Sequence, residues 1–351
     1  MKISLQKRNP LPWWGKILLP LGAIVVSILF SSLIIVLTGA NPAKAWYYIF
    51  WGSIGTQFAL LETIVKMAPL VFTGLACALA FRAQFWNIGA EGQLYAGCFG
   101  AALLGALPLD LPAFLYIPLV LAGGFVAGGI WGVIPGILKV KYNANDIVTT
   151  LLSNYIIIYL LEALLEGAWR DPQSGWPHSP LINDSARFPI LIPRSRLHLG
   201  IVLALLAAVV VYLLMQKTIL GYQIKVVGEN PRAAFFGGIP TGKIVVITAL
   251  LSGGLAGLAG VGEVCAIQYY LVGGMAASYG YFGIAVAMLG GLNPFGVILG
   301  AFYFAIIMTG AQVMSRMSGV PVYLADIIQG VTLLALLFMM LFDRYRIKIR
   351  L

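Results

Sequence analysis

Long apolar runs separated by short polar stretches repeat along the whole chain. Runs close to the ~20 residues that cross a bilayer fall at 17–37, 56–80, 94–107, 113–138, 147–165, 199–215, 244–261, 282–292, 295–314 and 322–342. This pattern predicts an all-α polytopic membrane protein with about ten transmembrane helices. The third and eighth runs are too short for full straight crossings, so some helices are expected to be short or broken. No stretch long enough for a separate soluble domain remains, and 1–351 reads as a single transmembrane domain.

Composition agrees with the pattern: 60% of residues are hydrophobic and 10% are charged, where soluble domains carry about 25% charged. The net charge of +10 raises the question of a nucleic-acid partner, and its distribution answers it. Lys2, Lys7, Arg8 and Lys16 precede the first run, and Lys139 and Lys141 follow the fourth. Lys217, Lys225, Arg232 and Lys243 lie between the sixth and seventh, and Arg344, Arg346, Lys348 and Arg350 follow the last. With alternating spans all of these share one side, which the positive-inside rule makes cytoplasmic. Both termini and the loop 216–243 are then cytoplasmic and 167–198 is extracytoplasmic. The charge orients the chain in the membrane and calls for no nucleic acid. The basic start followed by an apolar run resembles a signal peptide, but no small-residue cleavage site follows and the run is long enough to span, so a retained helix is expected. Cys77, Cys98 and Cys265 are isolated in apolar segments, an odd number without C-x-x-C spacing. They read as small core residues, with no disulfide framework, metal or cofactor implied.

Between Gly221 and Lys243 the chain reads GYQIKVVGENPRAAFFGGIPTGK, a polar, basic island between two spans. Asn230 is a good N-cap and Pro231 suits the first helical position. A helix of about one and a half turns is predicted over Arg232 to Phe236, stopped by Gly237 and Gly238. So short a helix is not stable by itself. The alternatives are a plain connector or a docking element for a partner, formed by Gly228, Glu229, Asn230, Pro231, Arg232, Ala233, Ala234, Phe235, Gly238 and Ile239. In the second case Ala233 and Ala234 leave a low surface that a partner can approach. Gly237 to Lys243 also satisfies G-x-x-x-x-G-K, but Ile244 stands where a hydroxyl would hold magnesium and no strand precedes the glycines. It is rejected as a nucleotide site, and the chain is not expected to be an enzyme.

Polar residues inside spans are costly and therefore informative. Glu62 and Lys66 are spaced i, i+4 and are expected to pair on one helix face, a turn before Pro69. FWNIGAEGQ, Phe85 to Gln93, gathers glycines, amides and a carboxylate at the entry to a short span. Such backbone must face protein or a watery path, and Glu91 is either salt-bridged scaffold or a pathway residue. Asn154 gives the fifth span a polar face. Glu263 and Gln268 lie just beyond the seventh. Glycines around 273–274, 280–283 and 290–296 suggest discontinuous helices around a central site, close helix packing through small residues, or both.

Four segments in order resemble a known family. FRAQFWNIGAEGQLYAGCFGA, NANDIVTTLLSNYI, GENPRAAFFGGIPTGKIVV and MLGGLNPFGVILGAFYFAII are similar to the permease subunits of bacterial ABC importers for nucleosides and simple sugars. The resemblance runs from about Leu60 to Phe342 and is closest to the larger permease of basic-membrane-protein-type nucleoside importers. It implies a multi-pass protein of the cytoplasmic membrane without an ATPase site of its own. It also implies partners: an ABC ATPase docked on the island, a second permease subunit, identical or not, an extracytoplasmic solute-binding lipoprotein, and a nucleoside or simple-sugar solute. Asn87, Glu91 and Gln93, with Asn154 of the fifth-span motif, would border the translocation path. The rival is a proton- or sodium-coupled secondary transporter with Glu62, Glu91 and Glu263 as coupling carboxylates, for which a docking island would be superfluous.

Overall fold

The computed structural model describes residues 2–7, 13–172 and 174–350, and side chains over 18–172 and 174–339. In chain order the helices are α1 (Trp13–Leu37), α2 (Pro42–Ile54), α3 (Gln57–Arg82), α4 (Ala90–Gly105), α5 (Ala113–Tyr142), α6 (Asp146–Glu166), α7 (Leu199–Lys217), α8 (Ile219–Glu229), α9 (Pro231–Phe236), α10 (Thr241–Gly262), α11 (Tyr279–Leu289), α12 (Pro294–Ser318) and α13 (Leu324–Arg344). Local chemistry sets many of the starts. Asn41, Thr56, Asn145 and Asn293 each accept a hydrogen bond from a first-turn N–H of α2, α3, α6 and α12, and Pro42 and Pro294 occupy the first turns of α2 and α12. His198 caps α7 in the same way, its Nδ1 accepting from Gly200 N at 3.0 Å. Burial pushes the His198 pKa down to about 4, which keeps the ring neutral and able to accept.

Seven helices among the described residues are long and apolar enough to cross a bilayer: α1, α3, α5, α6, α7, α10 with its continuation to Gln268, and α12. The other three expected spans are shorter. α4 has 16 residues and α11 has 11, and the described apolar part of α13 is Leu324–Met339. α2 was not anticipated, because its lysine, serine and aromatic residues hide it between two stronger apolar runs. Among the described residues two strands accompany the helices: β1 (Lys2–Lys7) pairs antiparallel with β2 (Tyr345–Arg350), Lys2 opposite Arg350. Both segments alternate apolar and polar residues, a period-two signal that the search for spans passed over.

α3 is the centre of the bundle. Of its apolar window 89% is buried, against 22% for α1, and α10, α11, α12 and α7 surround it. Beside it α4, α5 and α10 meet backbone to backbone. Gly97 faces Gly257, and Gly124 and Gly128 face Gly257 and Gly253, so closely that an added Cβ on any of them would overlap the opposing chain. In lipid, where burial of apolar surface does not drive helices together, such small-residue contacts do. The three cysteines are free and buried.

The segments 216–243 and 167–198 lie at opposite ends of α3, the first against Arg82 and the second against Glu62. The 167–198 segment is irregular, with one 3-10 turn at Asp184–Ala186. It serves the backbone freed where α10 loosens into a π-helix at Glu263–Gln268. Phe188 N donates to Cys265 O at 2.8 Å, Ile182 N to Tyr269 O at 3.0 Å and Ser179 N to Leu271 O at 2.9 Å. Pairing these carbonyls removes a cost that lipid would otherwise impose. The same segment corrects one expectation. Glu62 pairs with Arg196, whose Nε donates to Oε1 at 3.1 Å, while Lys66 donates to Met308 O at 3.4 Å. A cation held by the folded outer segment outcompetes the lysine one turn away. The shared hydrogen bond raises the Arg196 pKa further above its ordinary value.

Candidate functional site

The island between α7 and α10 is a pair of helices. α9 matches the predicted stand-alone helix: Asn230 Oδ1 accepts from Ala233 N at 3.0 Å, Pro231 opens the first turn and Gly237 ends it. Gly238 then turns the chain at φ +79°, a conformation that favours glycine. α8 precedes it, capped by Thr218 Oγ1, which accepts from Gly221 N at 3.1 Å. Its buried residues Gly221, Ile224, Val227 and Gly228 are spaced i, i+3, i+6 and i+7, a stripe that the charged look of the island concealed.

The two alanines of α9 face opposite ways. Ala234 is 1% exposed, packed inward, and Ala233 is exposed. The surface a partner can reach is therefore Ala233 with Phe235 and Phe236, which are 67% and 88% exposed and stand edge to face at 6.1 Å. Of the two alanines read from the sequence as a low surface, only Ala233 is reachable, with an aromatic pair beside it. Phe236 was not among the predicted residues. Two adjacent exposed phenylalanines in an otherwise polar stretch are a sequence signal that could have found it.

α8 ties this surface to the bundle. Gly228 packs on the Arg82 carbonyl at the foot of α3, so closely that a Cβ would overlap it. The Arg82 Nε donates to Leu292 O at 3.0 Å, which brings in the turn between α11 and α12. Lys139 at the end of α5 reaches Gln84 O and Asp146 Oδ2, both at 2.6 Å, and Asp146 Oδ2 also accepts from Trp86 N at 2.7 Å. All four sequence motifs thus meet around the foot of α3.

After Arg82 the chain turns back into the bundle, and α4 starts inside it. Asn87, Gln93 and Asn154 hold this re-entrant turn. Asn87 and Gln93 exchange two amide hydrogen bonds, Nδ2 to Oε1 at 2.8 Å and Nε2 to Oδ1 at 3.0 Å. Asn87 also donates to Ser252 Oγ at 2.8 Å and accepts from Gly89 N at 3.0 Å. Asn154 accepts from Gly92 N at 2.8 Å and donates to Ile88 O at 3.0 Å and to the Tyr281 hydroxyl at 3.2 Å. The two motifs 85–93 and 143–154 are halves of one clamp. Asn87, Gln93 and Asn154 are completely buried.

Glu91 occupies the first turn of α4 and points at the start of α11. Its Oε2 accepts from Gly280 N at 2.7 Å, and the backbone of Ser278 and Tyr281 lies close by. A carboxylate facing unpaired N–H groups is the favoured complement to a helix N-terminus. Glu91 thereby joins two helices that both begin inside the bundle, and the third predicted coupling carboxylate, Glu263, is buried in the π-helical end of α10. Among the described residues no cluster of metal-ligating side chains occurs.

Known proteins resemble this chain over most of its length. Residues 59–337 match the family described as the branched-chain amino acid transport system / permease component. The chain is 36% identical over 321 residues to the guanosine ABC transporter permease protein NupP of Bacillus subtilis, covering 91% of this chain and 92% of that one. It is 32% identical over 332 residues to the nucleoside ABC transporter permease protein NupB of Lactococcus lactis, covering 92% and 90%. Against the glucose ABC transporter permease protein TsgB13 of Haloferax volcanii it is 31% identical over 359 residues, covering 99% and 94%. No solved structure matches. With the family matched over most of its length and the family's motifs gathered at one end of a helical bundle, the chain belongs to this permease family and is a multi-pass permease subunit of an ABC importer.

Proposed function

We propose that this subunit carries a nucleoside, or a related simple sugar, inward across the bacterial cytoplasmic membrane, powered by ATP bound to a separate ABC ATPase docked on α9. In this reading both termini and the α8–α9 pair are cytoplasmic, as the distribution of Lys and Arg favours, and α4, α11 and α13 complete a set of about ten membrane-embedded helices. A solute-binding lipoprotein delivers the solute at the 167–198 end, and a second permease subunit completes the path. The coupling residues are those of the island, with the reachable surface on Ala233, Phe235 and Phe236. Asn87, Glu91, Gln93 and Asn154 border the path by holding the starts of α4 and α11 in place.

Mechanically, ATP-driven closure of the partner displaces α9. Because Gly228 leaves no slack against Arg82, α8 passes the displacement to the foot of α3 and to the re-entrant turn behind it. The junction of α4 and α11 is then the element with two arrangements, and Glu91 is its latch: interfaces of this kind switch between packed states and do not deform gradually. The observation that carries the reading is the capped, aromatic α9 fixed to the bundle by a glycine contact.

The test is uptake of labelled guanosine and glucose into proteoliposomes holding the permease pair, the ATPase and the binding protein. ATP-dependent accumulation is expected, unaffected by collapsing ion gradients. Uptake by the permease alone, abolished by a protonophore or by removal of sodium, would instead establish the secondary-transporter reading with Glu62, Glu91 and Glu263 as coupling carboxylates.

A further inference from the structure

α6 carries an outward face that neither the clamp nor the coupling surface uses. Tyr155, Tyr159, Glu162 and Glu166 follow one another at i, i+4, i+7 and i+11, one stripe of the helix. Tyr155 is 47% exposed and Tyr159 63%; their rings stack at 6.3 Å with 23° between the planes. Tyr155 lies about 14 Å along a helix about 30 Å long, near the middle of a span. It lies close to Tyr281, whose hydroxyl accepts from the clamp residue Asn154. The stripe therefore begins beside the junction of α4 and α11.

At its other end Glu162 and Glu166 line a cavity of about 220 Å³ with Pro177, Val272 and Gly273. Neither carboxylate has an ion-pair partner among the described residues. Both lie in the last turns of α6, which holds no basic residue in its last turn, so they oppose the helix dipole. A tyrosine hydroxyl near the middle of a span is costly against lipid, whereas Glu162 and Glu166 lie toward the outer end of α6. Among the described residues the two carboxylates have no ion pair to hold them there.

We propose that this stripe is a binding surface for the passing solute, and that its chemistry selects a nucleoside. The inference rests on the importer reading above. A planar base stacks on the Tyr155–Tyr159 rings, as bases do on aromatic side chains, and the sugar hydroxyls donate to Glu162, which accepts only. From Tyr155 to Glu162 the stripe is about 10 Å long by helical rise, the span of a base with its ribose. A sugar without a base would use only the carboxylate end.

The experiment measures ATP-driven uptake of labelled guanosine and glucose by the full transporter in proteoliposomes, comparing wild type with Tyr155→Ala, Tyr159→Ala, Tyr159→Phe and Glu162→Gln. Leu206→Ala, on an exposed face of α7, is the control. Loss of a stacking ring is expected to raise the KM for guanosine about tenfold, with Tyr159→Phe close to wild type and any glucose uptake unaffected by either alanine. Glu162→Gln is expected to raise the KM for guanosine. ATPase association and the melting temperature should not change. Unaltered guanosine KM in all three disruptive variants would overturn the proposal while leaving the importer reading intact. Loss of the second permease subunit on purification of the tyrosine variants would overturn it differently, making the stripe a subunit interface. Absence of any ATP-driven uptake by the wild type would remove the reading on which it rests.

Discussion

Two polar regions of this chain look alike in sequence and are opposites in space. The re-entrant turn with Asn87, Gln93 and Asn154 satisfies its amides internally, through seven side-chain hydrogen bonds, and hides all three residues. The α9 island places a capped helix on the outside and leaves two phenylalanines bare. In lipid a self-satisfied polar group is a structural device, because its alternative is an unpaired donor or acceptor. An exposed apolar pair has the reverse meaning: it offers a surface that a partner can cover. In the proposed mechanism the contrast separates what holds the permease in a given arrangement from what receives the force that changes it.

The clamp half of this comparison is the more costly to break. Asn154→Leu strips partners from Gly92 N, Ile88 O and the Tyr281 hydroxyl, at about 1–3 kcal/mol for each group left buried and unpaired. A marked fall in the melting temperature of the detergent-purified protein is expected. An unchanged melting point would mean that the re-entrant turn is held by something other than the clamp.

The α9 half is sharpened by two neighbouring alanines. Ala234→Glu forces a carboxylate into a packed position and should destabilise the subunit by several kcal/mol, at the upper end of single-site effects. Ala233→Glu, one residue away on the exposed side, should alter stability by no more than about 0.5 kcal/mol yet reduce co-purification of the ATPase. Equal stability loss in both would dissolve the distinction between the two faces.

Much of this was legible beforehand, and the reasons are local. Asn230, Pro231 and the glycine pair specify α9 because caps and stops act within one turn. The seven long helices follow from unbroken apolar length. What was hidden depends on neighbours distant in sequence. The choice of Arg196 over Lys66 as the partner of Glu62 needs the outer segment in place. The pairing of 85–93 with 143–154 needs α4 and α6 packed together. Glu91 reads equally well as scaffold or pathway until α11 is seen to begin against it. The division of labour between Ala233 and Ala234 depends on which side of α9 meets the bundle.

A smaller effect separates the outer end from both polar regions. His198 binds fewer protons folded than unfolded, since burial lowers its pKa from the ordinary 6.5 to about 4. Its contribution to stability is complete above pH ~6.5 and declines as the pH falls toward about 4. A melting series across that range should show a slope that His198→Asn, which keeps a capping side chain without a titrating ring, flattens. Identical slopes would show that the α7 cap is not the titrating element.

The most direct test of the coupling claim is hydrogen exchange on the assembled transporter, with and without a non-hydrolysable ATP analogue, read at the amides of Gly89–Gly92 and of Gly280 and Tyr281. If displacement of α9 travels through Gly228 and Arg82 to the junction of α4 and α11, the analogue changes protection at these amides. The change then disappears in Gly228→Val while the ATPase remains bound. Protection that does not respond to the analogue in the wild type, or that responds equally in Gly228→Val, would contradict the account.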